Sequence, residues 1–340
     1  YEPVDLHHIE SIAEKIKKTN KVALFIGSKA LRKKGLEIIS RIQKKTGCAV
    51  FTETFPGYID RGGGLPYVEK IPYFPEEAKK YLEKYELFVI AGTREPVTFF
   101  GYEGIDSYLM NKDQQRLYLC EKDHDLYSAL DCLDQMLGAF KRKSIRKQKD
   151  IKDLKSNMPE GRLTPEKLSY IVAALQPEDA IIVDEGLTSF FPYYQMSADA
   201  PPHSLLTITG GSIGYGMPCA VGAALACPER PVINVEADGS AMYTVQALWT
   251  QAHESLNVKT LICSNRSYNI LKIELARADI KTMGKNSLSL IELDNPPVNW
   301  VEIARGFGIE AKSVETAEDL VIEFEKALEK KGPYLIEIIL

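Results

Sequence analysis

Three pieces of sequence decide the fold: Gly210-Gly211-Ser212-Ile213-Gly214-Tyr215-Gly216, then PVINVEA (231–237) running into Asp238-Gly239-Ser240, then VKTLICS (258–264) running into Asn265. The two apolar runs are short and nearly continuous, the pattern of parallel strands covered on both faces. Between them Val245, Leu248, Trp249 and Ala252 recur at helical intervals, which predicts a helix over 242–256 and a strand–helix–strand unit. Parallel strands end on one edge of their sheet. Asp238 and Asn265 are therefore expected together at the carboxyl edge, where open α/β sheets bind ligands.

A carboxylate beside an amide oxygen offers hard donors of the kind that suit magnesium, which is usually shared between one or two side chains and the phosphates of a substrate. The backbone N–H groups of Gly239 and Ser240, at the start of the next helix, would face those phosphates. Each piece also has a plain explanation. Asp-Gly-Ser is an ordinary turn and cap, and the glycine run is a tight turn before a helix that Pro218 begins. Only the coincidence of all three favours a diphosphate and its metal.

Working outward, helix 165–175 precedes strand 180–183, which ends at Asp184-Glu185-Gly186-Leu187-Thr188, a further phosphate candidate in which Thr188 is equally a helix cap. Residues 299–340 read as helix, a stop at Gly306-Phe307-Gly308, short strand, helix 317–330 and a last strand. The amino-terminal half opens with an amphipathic helix carrying Ile9, Ile12, Ala13 and Ile16, then strand 21–26, helix 36–45 and strand 48–52. After a Gly- and Pro-rich loop over 56–75 come helix 76–85, strand 87–91, strand 116–120 and helix 124–137. Strand ends at Gly27-Ser28 and Gly92-Thr93 could cradle a nucleotide but fit plain turns better. The fold class is α/β: two open parallel-sheet domains with helices on both faces, at 1–140 and 163–340, joined by a basic linker at 141–162.

A chain of 340 residues is long enough for two domains. Its net charge of −5 argues against nucleic acid or an anionic membrane as the main partner. No apolar run approaches a bilayer span and no signal peptide opens the chain. Six scattered cysteines without Cys-x-x-Cys spacing predict reduced thiols and a cytoplasmic protein.

The stretch from Thr209 to Tyr268 resembles the thiamine diphosphate motif of the enzymes that include acetolactate synthase, benzoylformate decarboxylase and oxalyl-CoA decarboxylase. That pattern opens with Gly-Asp-Gly and closes with Asn-Asn; here it reads Ala237-Asp238-Gly239-Ser240 and Ser264-Asn265-Arg266-Ser267-Tyr268. Both ligand positions match, whereas the first Gly and the first Asn are replaced. The resemblance implies Mg2+ held by the side chains of Asp238 and Asn265 and the backbone carbonyl of Ser267. It implies phosphate contacts from the Leu187 amide and the Thr188 hydroxyl, and it places Gly211 and Ile213 against the aminopyrimidine and the bend of the cofactor.

Tyr268 and Ile270 open the segment expected to line the reacting face, with Leu271 beside them. Glu274 stands where plant and fungal acetolactate synthases carry a Trp, which weighs against true acetolactate synthesis. The stretch Ala91-Gly92-Thr93-Arg94-Glu95-Pro96-Val97 with Phe99-Phe100-Gly101-Tyr102 resembles the middle domain of acetolactate-synthase-like proteins. That domain holds FAD or ADP in some relatives, and nothing here selects FAD.

The implied function is thiamine diphosphate-dependent decarboxylation or carboligation of a 2-oxo acid by a lyase or transferase, assembled as a homodimer or homotetramer. The family's catalytic glutamate sits on a pyrimidine-binding domain that should precede Tyr1, so the expected fragment has little activity alone. Glu185, at the phosphate end, is no substitute. A nucleotide- or acyl-CoA-binding module and a noncatalytic homologue are the competing readings.

Overall fold

The computed structural model describes residues 2, 4–120, 124–141, 154–280 and 282–340. The chain divides into two compact units, Tyr1–Gln148 and Lys149–Leu340. Most of the basic run expected as a linker (142–153) lies outside the described residues.

In the first unit β1 (Val22–Ile26), β2 (Ala49–Thr52), β3 (Glu69–Lys70), β4 (Leu87–Ala91) and β5 (Gln115–Tyr118) form one sheet in the order β3-β2-β1-β4-β5, with parallel pairings throughout. Every residue of β1 and β4 is buried, as continuous apolar runs require of central parallel strands. Helix Leu6–Lys18 starts where Asp5 accepts from the N–H groups of His7 and His8, and it buries Ile9, Ile12, Ala13 and Ile16. The loop expected over 56–75 yields β3, and its last residue, Pro75, is the first of helix Pro75–Leu82. At the β1 and β4 ends the Gly27 N–H donates to Ala91 O at 3.0 Å. A Cβ on Gly92 would sit 2.5 Å from Gly27 O, so these glycines are explained by close backbone approach.

In the second unit β6 (Ala180–Glu185), β7 (His203–Thr207), β8 (Val232–Ala237), β9 (Val258–Ser264), β10 (Glu310–Val314) and β11 (Tyr334–Ile339) run in the order β10-β11-β9-β8-β6-β7, again all parallel. Helix Pro165–Leu175 begins with Pro165 behind a Thr164 cap, and helix Ala317–Glu329 begins behind a Thr316 cap. The chain leaves β6 for β7 on one side and returns to β8 on the other. The strand order thus reverses between β6 and β8, and a sheet of this class binds ligands in the crevice at such a reversal.

The expected helix over 242–256 is broken. A single turn, Asp238–Ala241, follows β8 directly, and the helix proper is Ala247–His253. The helix after the glycine run begins at Gly216, two residues ahead of Pro218.

Candidate functional site

β8 and β9 pair in register with Ala237 opposite Cys263, so Asp238 and Asn265 leave the sheet side by side at its carboxyl edge. The first residues past each strand are tied together. Asp238 is buried, and its carboxylate accepts from Arg266 N at 2.6 Å and from Gly239 N at 2.9 Å. Arg266 has φ 54°, a conformation costly for a residue with a Cβ, and this turns its N–H toward the acid. Asn265 Oδ1 accepts from Ser267 N at 2.9 Å, while its Nδ2 donates to Ser189 Oγ at 3.2 Å. The Ser189 contact fixes the amide orientation and ties the segment after β6 to the end of β9. The Ser267 hydroxyl donates to Ile291 O at 3.2 Å.

Burial pushes the Asp238 carboxyl up to about 6, against the pull of the Arg266 and Gly239 amides. Among the described residues no lysine or arginine side chain forms an ion pair with this carboxylate. A desolvated acid next to an oriented amide oxygen is a donor set that a hard divalent cation would satisfy.

Gly239 is dictated by packing. A Cβ there would lie 2.4 Å from the Tyr268 ring, so the ring lies directly over its backbone. Ala237, which stands where the motif has glycine, has φ −75° and ψ 144°. Any L-residue adopts that conformation, so the replacement brings no backbone strain. Ser264, in place of the first Asn, is simply the last residue of β9 and is buried.

On the other side of the crevice, β6 extends through Glu185, two residues beyond the expected end. Leu187 has φ 46° and opens a short 3-10 turn with Thr188 and Ser189. Thr188 makes no capping hydrogen bond there. Gly186 is required because a Cβ would meet Phe190 at 2.5 Å.

Above β6 and β8 runs the glycine turn. Gly210, Gly211 and Gly214 all have left-handed φ, at 62°, 67° and 85°. Ile213 projects from the turn with 49% of its surface exposed. Met242, Tyr243 and Leu271 are also exposed, while Ile270 is half-buried at the start of helix Asn269–Arg277, which has no buried residue. Glu274, on that helix, pairs with Arg277 at 2.8 Å.

Glu185 accepts from Gly214 N and Gly216 N, and its register partner on β8 is Glu236. Burial, and then the Glu185 charge, pushes the Glu236 carboxyl well above the usual carboxylate range. Sequence reasoning missed Ser189, Thr244 and the part played by Glu185. The acidic pair at 185 and 236 was visible in the sequence only to a reader who already knew that β6 and β8 are neighbours.

Residues 186–338 match the family model described as the thiamine pyrophosphate enzyme C-terminal TPP binding domain. A Mycobacterium tuberculosis protein named as a candidate acetolactate synthase large subunit is 38% identical over 338 residues, 99% of this chain and 64% of that protein. Benzoylformate decarboxylase of Pseudomonas aeruginosa is 34% identical over 178 residues, 52% of this chain and 32% of that enzyme. The chain thus spans less than two thirds of these relatives' length. Among solved structures, a Rhodococcus jostii thiamine diphosphate-dependent 4-hydroxybenzoylformate decarboxylase superposes with a TM-score of 0.78 at 22% identity, covering 99% of this chain and 64% of that one. That likeness establishes the fold: two parallel sheets layered with helices. Among the described residues no helix is long and apolar enough to cross a membrane.

Proposed function

We propose, from the match of residues 186–338 to the thiamine pyrophosphate enzyme C-terminal TPP binding domain, that this chain binds thiamine diphosphate through Mg2+ at the β6–β8 crevice and serves the decarboxylation or carboligation of a 2-oxo acid. One observation carries the reading. Asp238 and Asn265 come from the tips of adjacent parallel strands, and the Arg266 N–H, next to Asn265, donates a 2.6 Å hydrogen bond to the Asp238 carboxylate.

In this reading Asp238 and Asn265 give side-chain oxygens to the metal, and the Ser267 backbone carbonyl gives a third. The Leu187, Gly239 and Ser240 amides and the Thr188 hydroxyl face the phosphates at the starts of two short helical turns. Gly211 and Ile213 meet the thiamine half from the glycine turn, with Tyr268 and Ile270 on the opposite wall. Thiamine diphosphate supplies the electron sink that lets a 2-oxo acid release carbon dioxide.

The chain's own work is to bind, to orient and to exclude water. Tyr268 lies over Gly239, and in this reading the exposed side chains of Ile213, Met242, Tyr243 and Leu271 form an apolar margin of the site. Such a margin fits a site closed by a second copy in a homodimer or homotetramer. The apolar residues beside the reacting face, with Glu274 in place of a Trp, favour decarboxylation of an apolar 2-oxo acid over acetolactate formation. The free cysteines of the described residues support a cytoplasmic location in this reading.

Calorimetric titration of the intact chain with thiamine diphosphate, with and without Mg2+, tests the reading. Binding that needs Mg2+ and disappears in Asp238→Ala is expected. Binding indifferent to both, or heat released only by an adenine nucleotide, would sink it and would favour a nucleotide-binding module instead.

A further inference from the structure

The backbone closes the glycine turn only at its start, where Ser212 N donates to Thr209 O at 3.3 Å; side chains hold Gly214 and Gly216. Gly214 N donates to Glu185 Oε1 at 2.6 Å and Gly216 N donates to Glu185 Oε2 at 2.5 Å, so one carboxylate spans both amides. From the other side, Thr244 Oγ1 donates to Gly214 O at 2.8 Å. Gly214 therefore has its N–H fixed by the end of β6 and its carbonyl fixed by the segment that follows Asp238–Ala241.

Neither glycine admits a side chain. A Cβ on Gly214 would come within 2.7 Å of Tyr243 Cβ, and one on Gly216 would overlap Glu236 Oε2 and sit 3.0 Å from Asn234 Oδ1 and 3.1 Å from Glu185 Cβ. Glu185, Asn234 and Glu236 all have 0% exposure. Three fully buried polar side chains under one turn are costly to assemble. Asn234 Nδ2 reaches Glu236 Oε2 at 3.3 Å, whereas the buried Asn234 Oδ1 and Glu236 Oε1 have no hydrogen-bond partner among the described residues. Glu185 is the member of this cluster whose carboxylate meets the two glycine amides.

We infer that Glu185 is a positioning residue for the cofactor: its carboxylate, with Thr244, clamps Gly214 and Gly216 so that Ile213 stands out from the turn toward the thiamine half. The inference rests on the reading of the crevice given above. A carboxylate suits the task because both oxygens only accept. A glutamine of the same shape presents an NH2 to one of the two N–H groups and loses that bond.

The test uses the intact chain with Glu185→Gln and, since a buried substitution can impair folding, Thr244→Val as a second variant. Without ligand, hydrogen exchange followed by mass spectrometry should show lost protection in a peptide spanning 209–217 and none lost in one spanning 258–264. With saturating Mg2+, the dissociation constant for thiamine diphosphate should rise tenfold or more in Glu185→Gln and several-fold in Thr244→Val. The combined variant should lose less than the product of the two, because both free the same residue. Unchanged exchange at 209–217, or unchanged affinity in whichever variants fold, would overturn the inference. A wild-type chain that takes up no thiamine diphosphate defeats the underlying reading instead, and the exchange data separate that outcome from a failure of the clamp.

Discussion

Truncating Ile213 to Ala should divide its cost between folding and cofactor binding, and the division can be worked from exposure. The change removes three carbons, each worth about 0.8 kcal/mol when fully buried, or about 2.4 kcal/mol in all. With 49% of the residue exposed in the ligand-free chain, about half of that, roughly 1.2 kcal/mol, is realised in folding. The other half, again about 1.2 kcal/mol, becomes available only when a ligand covers the exposed part, and it corresponds to about a sevenfold weaker affinity.

Urea denaturation of the ligand-free Ile213→Ala chain reads the first quantity, and calorimetry with thiamine diphosphate and Mg2+ reads the second. A stability loss near the full 2.4 kcal/mol with unchanged affinity would refute the reasoning, since Ile213 would then be core and not a prop. A drop in affinity of several hundredfold would refute it from the other side, because apolar contact alone cannot supply so much.

Two further outcomes follow from the same coordinates. Gly239→Ala should cost roughly 1–2 kcal/mol in chemical denaturation, the overpacking against the Tyr268 ring being partly offset by the better helix propensity of alanine. Gly239→Ala combined with Tyr268→Ala should recover most of that loss, and no recovery would mean that the ring is not the obstacle. Lys259 is buried in β9, its ammonium donating to Lys330 O at 2.8 Å and Gly332 O at 2.7 Å, and burial with repulsion from Lys330 lowers its pKa from 10.5 to about 8. The folded state then binds fewer protons than the unfolded one between pH 8 and 10.5, so stability should rise across that window. The rise should reach roughly 2–3 kcal/mol and should be absent in Lys259→Met, as followed by urea midpoints. A wild-type profile flat or falling from pH 8 to 10 would contradict it.

Much of this architecture was legible because apolar runs identify buried parallel strands with little ambiguity. The runs 232–237 and 258–264 appear as β8 and β9 and bring Asp238 and Asn265 to one edge. The helix expected over 242–256 failed for a physical reason. Its apolar spacing was real, but Asp238–Ala241 already forms the first turn, and Thr244 is drawn off to cap Gly214 O.

Glu185 was set aside as lying at the phosphate end, which is true of its position along the chain. Its carboxylate, however, points under the glycine turn, and only the order β8-β6-β7 reveals that. Positive φ at Leu187 and Arg266 left no trace in residue type, since neither is a glycine or an asparagine. Ser189 is found only through its contact with Asn265, because the two are distant in sequence and no local pattern joins them.

The extended backbone at Ala237 has a consequence for how such sites change over time. A position that needs no left-handed torsion is free to drift, whereas Gly239, one residue beyond the acid, is pinned by an aromatic neighbour. A search string that demands glycine on both sides of the aspartate therefore treats a tolerant site and an intolerant one alike. It would discard chains that keep the acid and the glycine after it.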